Sequence, residues 1–490
     1  MRPAALGQAA GWLPSPAVLL VGLTSFAICL ALRHQLLGDG DTFLHVAAGQ
    51  WLLEHRAIPH SDPFSGGLPG ARWVAHEWLA EIILALAHKA GDIQGLVLIS
   101  AAAFALMQML MLHSLLRYLP PPHALLFCVV AGALFAVHLL ARPHLLAMPF
   151  AMLWSMALIE ARQQGRVPSL WWVLLMGLWA NLHGSFPLGL GFAGLMAVEA
   201  GLEAEAERRW RALLSWAGFV LLATLATLVT PHGLDGMAFP FMLSGMSTVT
   251  DLIEWQSPDF RAYPILEGTL IGLVGVPLAL GLRLPPVRLV LLLGLLHLAL
   301  TSLRHVELLG IFGPLFAAPA LGPQIARLRA ALASRDDGLV GPVWRPSGWP
   351  LLGAVLLLAS MMAGAFMGSP MPLTNADSRP ISAIEVARAR ALNGPVLNAY
   401  NFGSYMIFAG LHPYIDGRMD MYGPDYYSAY RDAIQRPDTH LAALLDQRAI
   451  AWTLLAAGTA AAREMDRLPN WQRIHADEVA VIHVRTGDPR

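Results

Sequence analysis

Two closely spaced aspartates early in the chain have the side chains of an acid–base site. They lie in the run GDGDTFLHVAAGQW (residues 38–51), where Asp39 and Asp41 are flanked by glycines directly after the first apolar segment. His45 follows Asp41 by four positions. Carboxylates and an imidazole at the mouth of an apolar bundle are costly to desolvate, so this run indicates a site.

A structural alternative is that Asp41 caps a short amphipathic helix over residues 42–54. A cap would explain Asp41 alone. It would not explain Asp39, nor the polar cluster that follows in the same loop, where His76 and Glu77 are adjacent. All of these residues are therefore candidates for a functional site.

The composition is that of a polytopic membrane protein. Hydrophobic residues make up 56% of the 490 positions and charged residues 13%, whereas soluble domains carry roughly 25% charged residues. The net charge of −1 gives no indication of nucleic acid as a partner. Both cysteines lie in apolar runs, so they predict neither a disulfide framework nor a metal site.

A helix needs about 20 apolar residues to cross a bilayer, and eleven segments are predicted to do so. The apolar stretch at 78–90 is shorter, and we expect it to lie as a helix in the membrane interface. The predicted spans are residues 15–33, 93–116, 122–141, 144–162, 167–183, 186–204, 211–230, 263–282, 286–303, 306–323 and 349–368.

The placement of arginine and lysine favours this topology. If the N-terminus is cytoplasmic and 78–90 is not a membrane span, 13 basic residues before the last domain fall on the cytoplasmic side and 7 on the other. Counting 78–90 as a span reverses the bias, against the positive-inside rule. The predicted order is a bundle at 1–323 with a long first loop at 34–92, a cytoplasmic linker at 324–348, the last helix, and an extracytoplasmic domain at 369–490.

This topology places further polar groups at one face of the bundle. Singly, each has a structural explanation, because arginines can extend to headgroups and polar side chains can join helices. Together they predict a single extracytoplasmic pocket. The groups are Arg142, His144, Asn181, His183, His232, Asp251, Glu254, Arg304 and His305.

Residues 369–490 change in composition and predict a small α/β domain. The run IDGRMDMYG within it could be a ligand loop, although a solvated or salt-bridged turn is the favoured interpretation. Strands are predicted at 395–398, 414–416, 450–455 and 479–484, and helices at 381–392, 426–435 and 440–447.

An enzyme with its site outside the cytoplasmic membrane would need an activated donor that is itself membrane-borne, and a polyprenyl-phosphate-linked sugar fits. Its transfer requires a carboxylate base, cations for the departing phosphate and an apolar groove for the lipid. Asp39 or Asp41 can supply the base. Candidate phosphate ligands are Arg142, His144, Arg304 and His305.

In its arrangement the chain resembles the GT-C class of membrane glycosyltransferases. The shared features are an aspartate after the first span, interfacial helices in a long first loop, a multi-span bundle and an outer C-terminal domain. More closely, it resembles a group of bacterial membrane proteins through five motifs. They are the D-x-D-x-x-x-H-x-x-x-G start at 39–49, IPHSDPFS at 58–65, HEWL at 76–79, NFGSYMIF at 401–408 and YIDGRMDMYG at 414–423.

The resemblance implies a mostly α fold of GT-C type, with about eleven spans and a small extracytoplasmic α/β domain, in the bacterial cytoplasmic membrane. It implies that the first-loop aspartate, Asp39 or Asp41, is the catalytic base. Metal-dependent members of the class add acidic residues from later outer loops, where Asp251 and Glu254 lie here. Their spacing assigns no metal, so the cofactor is unknown, and Mg²⁺ or Mn²⁺ is compatible with the sequence.

We expect a glycosyltransferase that moves a sugar from the lipid-linked donor to an extracytoplasmic glycan, lipid or protein. The alternatives are an oligosaccharide ligase or polymerase with a diphosphate-linked donor, a transporter or flippase of lipid-linked sugars, and a non-catalytic cell-envelope assembly protein. A transporter predicts inverted repeats and polar groups at mid-membrane depth, and the sequence has neither. Expected substrate-binding residues are His45, His76, Glu77, Arg142, His144, Asn181, His183, Glu254, Arg304 and His305.

Overall fold

The computed structural model describes residues 14–246, 248, 251–332, 348–367 and 373–486. The helices are α1 (Pro16–Ala31), α2 (Arg33–Leu36), α3 (Asp41–His55), α4 (Trp78–Leu115), α5 (Pro121–Phe135), α6 (Pro143–Gln163), α7 (Trp171–Leu182), α8 (Phe186–Glu203), α9 (Ala206–Ala226), α10 (Leu234–Ser244), α11 (Pro264–Leu280), α12 (Pro286–Thr301), α13 (Val306–Leu332), α14 (Gly348–Met367), α15 (Ile381–Ala389), α16 (Tyr400–Phe408), α17 (Met419–Gln435), α18 (Pro437–Gln447) and α19 (Ala460–Met465). The strands are β1 (Val396–Asn398), β2 (Trp452–Ala456), β3 (Trp471–Ala476) and β4 (Ala480–Arg485).

The chain is a multi-pass membrane protein. Within the described residues, five helical segments have the length and hydropathy needed to cross a bilayer, and five more apolar helices are shorter. Each of the eleven predicted spans overlaps a helix. The number of helices that cross the membrane stays a prediction. The five long segments are Trp78–Leu115, Pro121–His138, Pro143–Gln163, Phe186–Glu203 and Leu303–Ala331.

Helix α4 contains the break predicted between residues 90 and 93. The backbone leaves helical geometry at Gly91 (φ −151°, ψ 21°) and Asp92 (φ 48°, ψ −138°). A Cβ at Gly95 would collide with the carbonyl oxygen of Ala87. Residues eight apart in a straight helix are about 12 Å apart, so the two arms of α4 turn sharply against each other.

The predicted linker at 324–348 is partly helical. Helix α13 extends to Leu332, past the predicted end of its span at residue 323, because its apolar face continues to pack, with Ile325 8% exposed. Residues 333–347 of the linker, and residue 368 of the last predicted span, lie outside the described residues.

Helix α3 lies between the bundle and the C-terminal domain. A Cβ at Gly49 would collide with the backbone of Glu81 in α4, so glycine permits this close crossing. On the other side, the ring centroids of Phe43 and Tyr405 are 5.1 Å apart in an edge-to-face contact. The first-loop motif is therefore held by packing from two directions.

The capping role considered for Asp41 is wrong. The N-cap position of α3 is Gly40, and Asp41 is the first helical residue. Instead, Oδ1 of Asp39 accepts a hydrogen bond from the backbone N–H of Asp41 at 3.2 Å. Asp39 thus supplies the side-chain acceptor at the start of α3. The carboxylate of Asp41 is not used there and contacts Arg142 and Ser404 instead.

The C-terminal domain contains a four-stranded sheet in the order β1-β2-β4-β3. Strands β1 and β2 are parallel, and the other two pairs are antiparallel. Three of the four predicted strands are confirmed. The edge strand β3 was not predicted, because its sequence WQRIHA is half exposed and lacks a regular apolar alternation.

The strand predicted at 414–416 is wrong. That segment is pinned by a side chain instead of a strand: Oδ1 of Asn398 accepts hydrogen bonds from the backbone N–H groups of Tyr414 and Ile415 at 2.7 and 3.3 Å. The Asn398 amide also donates to the carbonyl oxygen of Ile415 at 2.8 Å. Hydrogen bonds to one buried amide therefore take the place of strand-to-strand hydrogen bonds in this segment.

Candidate active site

Arg142 is the centre of a cluster of three carboxylates. Its Nε faces Asp39 and its Nη2 faces Asp41, while its Nη1 lies 3.2 Å from Oε2 of Glu254. Arg142 has extended backbone (φ −124°, ψ 164°) directly before Pro143, which begins α6, as a residue before proline favours. The guanidinium therefore joins the first loop to the loop that carries Glu254.

The pKa of Asp39 is higher than that of an ordinary surface aspartate. Burial raises the pKa of Asp39 to about 6, and the neighbouring carboxylate of Asp41 acts in the same direction, while the Arg142 guanidinium opposes both. A carboxylate that titrates near neutral pH is matched to accepting a proton in catalysis.

Glu254 is held in its charged form. Although burial opposes ionisation, a hydrogen bond with His138 and the guanidinium groups of Arg142 and Arg304 keep the pKa of Glu254 well below its usual range. Oε2 of Glu254 lies 3.3 Å from Nε2 of His138. Glu254 thus serves as an anionic partner of these cations and is poorly suited to accept a proton.

Arg304 differs from Arg142 in the number of carboxylates that it contacts. It lies in the short 3₁₀ turn Leu303–His305, and its guanidinium carbon is 4.4 Å from the ring centroid of Trp255, a cation–π distance. Within the described residues its carboxylate contact is Glu254, at 3.6 Å. Most of its N–H donors are therefore available to a ligand.

A second cluster surrounds Glu77. Three imidazoles approach its carboxylate: Nε2 of His183 at 3.4 Å, of His76 at 3.7 Å and of His45 at 3.8 Å. His45 also lies 3.3 Å from Glu81. Although burial opposes the charged imidazole, Glu81 and Glu77 raise the pKa of His45, with a smaller contribution from Asp41, so this cluster adjoins the Arg142 cluster.

Two C-terminal motifs form a wall against Asp41. The hydroxyl of Ser404, in NFGSYMIF, donates to Oδ1 of Asp41 at 2.7 Å. A Cβ at Gly417, in YIDGRMDMYG, would collide with the Asp41 carboxylate. Sequence reasoning did not assign these two residues to the site, although both lie in motifs that carried the family resemblance.

The run IDGRMDMYG is a salt-bridged turn, as favoured from the sequence, but it is buried and not solvated. Arg418 binds Asp416 within the turn at 2.8 Å and Asp62 of the first loop at 2.7 Å. The hydroxyl of Tyr422 donates to Asp416 at 2.7 Å. Asp62, which sequence reasoning missed, lies in IPHSDPFS, so the motifs of the two regions meet in one ion-pair network.

Some predicted residues contact other partners. Asn181 accepts from Trp78 at 2.7 Å and donates to the carbonyl oxygens of Gly177 and Val229 at 2.8 and 2.9 Å. It thus joins helices, as its structural alternative proposed. Asp251 pairs with Arg431 of the C-terminal domain at 2.9 Å.

The remaining predicted histidines also have neighbours other than the aspartates. His144 bonds the carbonyl oxygen of His138 at 3.0 Å. His305 packs against the Trp255 ring, with centroids 6.3 Å apart, and His232 packs against His60, with centroids 4.9 Å apart.

The three carboxylates do not fit a Mg²⁺ or Mn²⁺ ion. Such an ion would need their oxygens as ligands, but Asp39, Asp41 and Glu254 already converge on the Arg142 guanidinium. The Arg142 guanidinium occupies the position that a divalent cation would take. It also supplies part of the positive charge that such an ion would bring.

Of the comparisons with known proteins, the one with solved structures bears on the fold. No family model and no curated protein matches the chain. Among solved structures, the crystal structure of ArnT from Cupriavidus metallidurans bound to undecaprenyl phosphate is similar, with a TM-score of 0.51 and 13% identity over 96% of this chain and 98% of that one. The apo state of the same protein gives a TM-score of 0.47 and 14% identity over 95% and 96%. The first likeness shows a GT-C-type fold.

Proposed function

We propose that this protein is a membrane glycosyltransferase that moves a sugar from a polyprenyl-phosphate-linked donor to a hydroxyl group of an extracytoplasmic acceptor. The observation that carries the proposal is the convergence of Asp39, Asp41 and Glu254 on Arg142. Arg304 lies beside them with donors to spare. The fold shared with a protein whose structure contains undecaprenyl phosphate supports the donor class.

Asp39 acts as the general base. It accepts the proton of the acceptor hydroxyl as that oxygen bonds to the anomeric carbon of the sugar. The bond between that carbon and the phosphate oxygen breaks, and its electron pair leaves with the lipid phosphate. A pKa of about 6 leaves Asp39 ionised at neutral pH while giving it more proton affinity than an ordinary aspartate.

The two arginines have different roles. Arg142 is a positioning residue, because each of its three guanidinium nitrogens contacts a carboxylate. Arg304 is the phosphate ligand, because its planar fork matches phosphate oxygens and its contact with Glu254 is long. His305 lies next to it in the same turn. The cluster of Glu77 and its three histidines adjoins these carboxylates, since Asp41 also acts on His45, and we assign it to binding the acceptor.

The lipid that co-purifies with the protein tests the donor class. Mass spectrometry of detergent-purified protein should detect a polyprenyl phosphate or its glycosylated form, enriched over the membrane extract. Arg304→Gln should lose most of this lipid, because the phosphate loses its cation. Arg436→Gln, which removes an exposed ion pair with Asp432, is the matched control and should retain it. Absence of polyprenyl lipid, or equal amounts in both variants, would contradict the donor assignment.

The proposal also requires the site to face away from the cytoplasm. Single cysteines at positions 92 and 440 should react with an impermeant thiol reagent in spheroplasts, and one at position 330, near the end of α13, should react only after lysis. The native Cys29 and Cys128 are buried, so background labelling should be low. Labelling of position 330 in intact spheroplasts, with protection of 92 and 440, would show that the site faces the cytoplasm and would contradict the proposal.

A further inference from the structure

Behind Glu254, three further side chains meet at helix ends. His138 ends the short 3₁₀ turn after α5, His144 lies in the first turn of α6, and Glu307 lies in the first turn of α13. One ligand atom from each residue lies within 4.8 Å of the other two. All three are absent from the chemistry proposed above, although His138 contacts Glu254 from the far side.

The hydrogen bonds decide which nitrogen of His144 carries its proton. Nε2 of His144 lies 3.0 Å from the backbone carbonyl oxygen of His138. A carbonyl oxygen can only accept, so Nε2 is the protonated nitrogen. In the neutral ring, Nδ1 then carries a free lone pair.

The same reasoning applies to His138. Its Nε2 lies 3.3 Å from Oε2 of Glu254, and Glu254 is held as an anion by Arg142 and Arg304. A carboxylate can only accept, so Nε2 of His138 carries the proton and Nδ1 carries a lone pair. That lone pair faces Oε2 of Glu307 at 3.8 Å, which is too long for a hydrogen bond.

Glu307 completes the group as a buried acceptor. Its residue is 4% exposed, and within the described residues its Oε2 has no hydrogen-bond partner. Each histidine thus keeps a lone pair on Nδ1, and one ring nitrogen of each lies within 4.8 Å of a carboxylate oxygen of Glu307. A buried group of this kind needs either a proton on Glu307 or a bound cation, and the metal content of the protein separates the two.

We propose that His138, His144 and Glu307 together bind one transition-metal ion, and that this ion is zinc. Two imidazoles and a carboxylate are typical zinc ligands, whereas Mg²⁺ prefers oxygen ligands. Metal-binding histidines characteristically donate their other N–H to a carbonyl or a carboxylate, as His144 and His138 both do. Ligand atoms of a tetrahedral zinc ion lie about 3.4 Å apart. These ligand atoms lie within 4.8 Å of one another, so binding draws them together by up to about 1.4 Å.

The ion would join the ends of three helices beneath the active site. Through His138 it would also fix the carboxylate of Glu254, which in turn orients Arg142 and Arg304. This site is separate from the Asp39 and Asp41 carboxylates, and its occupancy can be measured without knowing the acceptor.

The test is the metal content of the full-length protein. Detergent-purified protein from zinc-supplemented cells should contain about one zinc per chain by plasma mass spectrometry. Glu307→Gln and His144→Ala should each reduce this to below about a tenth. His123→Ala is the matched control, because His123 lies at the opposite end of α5, and it should keep the metal. Size-exclusion profiles identify any variant that fails to fold.

A second measurement uses the unmodified protein. Protein stripped with a chelator should bind added zinc stoichiometrically in a competition assay with a fluorescent zinc indicator, and its melting temperature should rise on rebinding. Stripped protein that binds no zinc at micromolar concentrations would overturn the proposal. So would metal that remains in full in both ligand variants, because the ion would then lie elsewhere.

Discussion

Replacing Asp39 by Asn should leave a folded, membrane-inserted protein that binds the donor but transfers sugar on the order of 10²–10⁴ times more slowly. The amide keeps the size of the side chain and its Oδ1 acceptor for the backbone N–H of Asp41, so α3 should still begin correctly. It cannot accept the proton of the acceptor hydroxyl. Single-turnover transfer by purified protein in lipid nanodiscs measures this directly.

Two aspartate variants serve as controls. Asp41→Asn should keep more activity, because an amide oxygen can still accept from Ser404, although its contact with Arg142 weakens. Asp235→Asn removes an exposed ion pair with Arg72 and should transfer at the normal rate. Near-normal transfer by Asp39→Asn beside an inactive, folded Asp41→Asn would move the base to Asp41. Full activity in both would remove this loop from the chemistry.

The pH dependence of sugar transfer should also identify Asp39 as the base. Because burial raises the pKa of Asp39 to about 6, the base becomes protonated as the pH falls through that value. Activity should therefore be full above it and decline below, roughly two pH units earlier than for an ordinary aspartate with a pKa of about 3.9. This acidic limb should be missing from the residual activity of Asp39→Asn.

Arg304→Lys should lower turnover by roughly 10²–10³, the usual effect of removing one well-placed donor from a developing anion. Lysine keeps the positive charge but presents a single ammonium group, so it cannot bind two phosphate oxygens in parallel. It also loses the planar stacking on Trp255. Steady-state kinetics should show the loss mainly in kcat, because the phosphate gains charge as the sugar leaves.

Arg431→Lys is the matched control for that variant. Arg431 pairs with Asp251 at 2.9 Å on the surface of the C-terminal domain, and its replacement should leave transfer unchanged. If Arg304→Lys is as active as the control, Arg304 is only an anchor at the membrane interface. If it is inactive but binds donor normally, the role of Arg304 in stabilising the leaving phosphate stands.

Hydropathy alone determined the class and most of the helices. Apolar runs are a local property, so each predicted span overlaps a helix, and some agree closely, as for 144–162 against Pro143–Gln163. The break before residue 93 was also predicted, because the apolar stretch at 78–90 is short and counting it as a span reverses the distribution of basic residues. Asp39 and Asp41 were singled out as site candidates by their spacing and by the glycines around them.

The tertiary structure decided which charges meet. Arg142 and Arg304 looked equivalent in the sequence, but only packing shows that Arg142 is surrounded by three carboxylates while Arg304 is not. Glu254 lies 112 positions from Arg142, and no local pattern pairs residues so far apart.

The same reason explains the misses in the C-terminal domain. Ser404 reaches Asp41 across 363 positions, and Arg418 reaches Asp62 across 356. The segment predicted as a strand at 414–416 is held instead by the Asn398 side chain. Propensity and periodicity describe a residue and its neighbours along the chain, whereas ion pairs and buried amides depend on how separate elements pack.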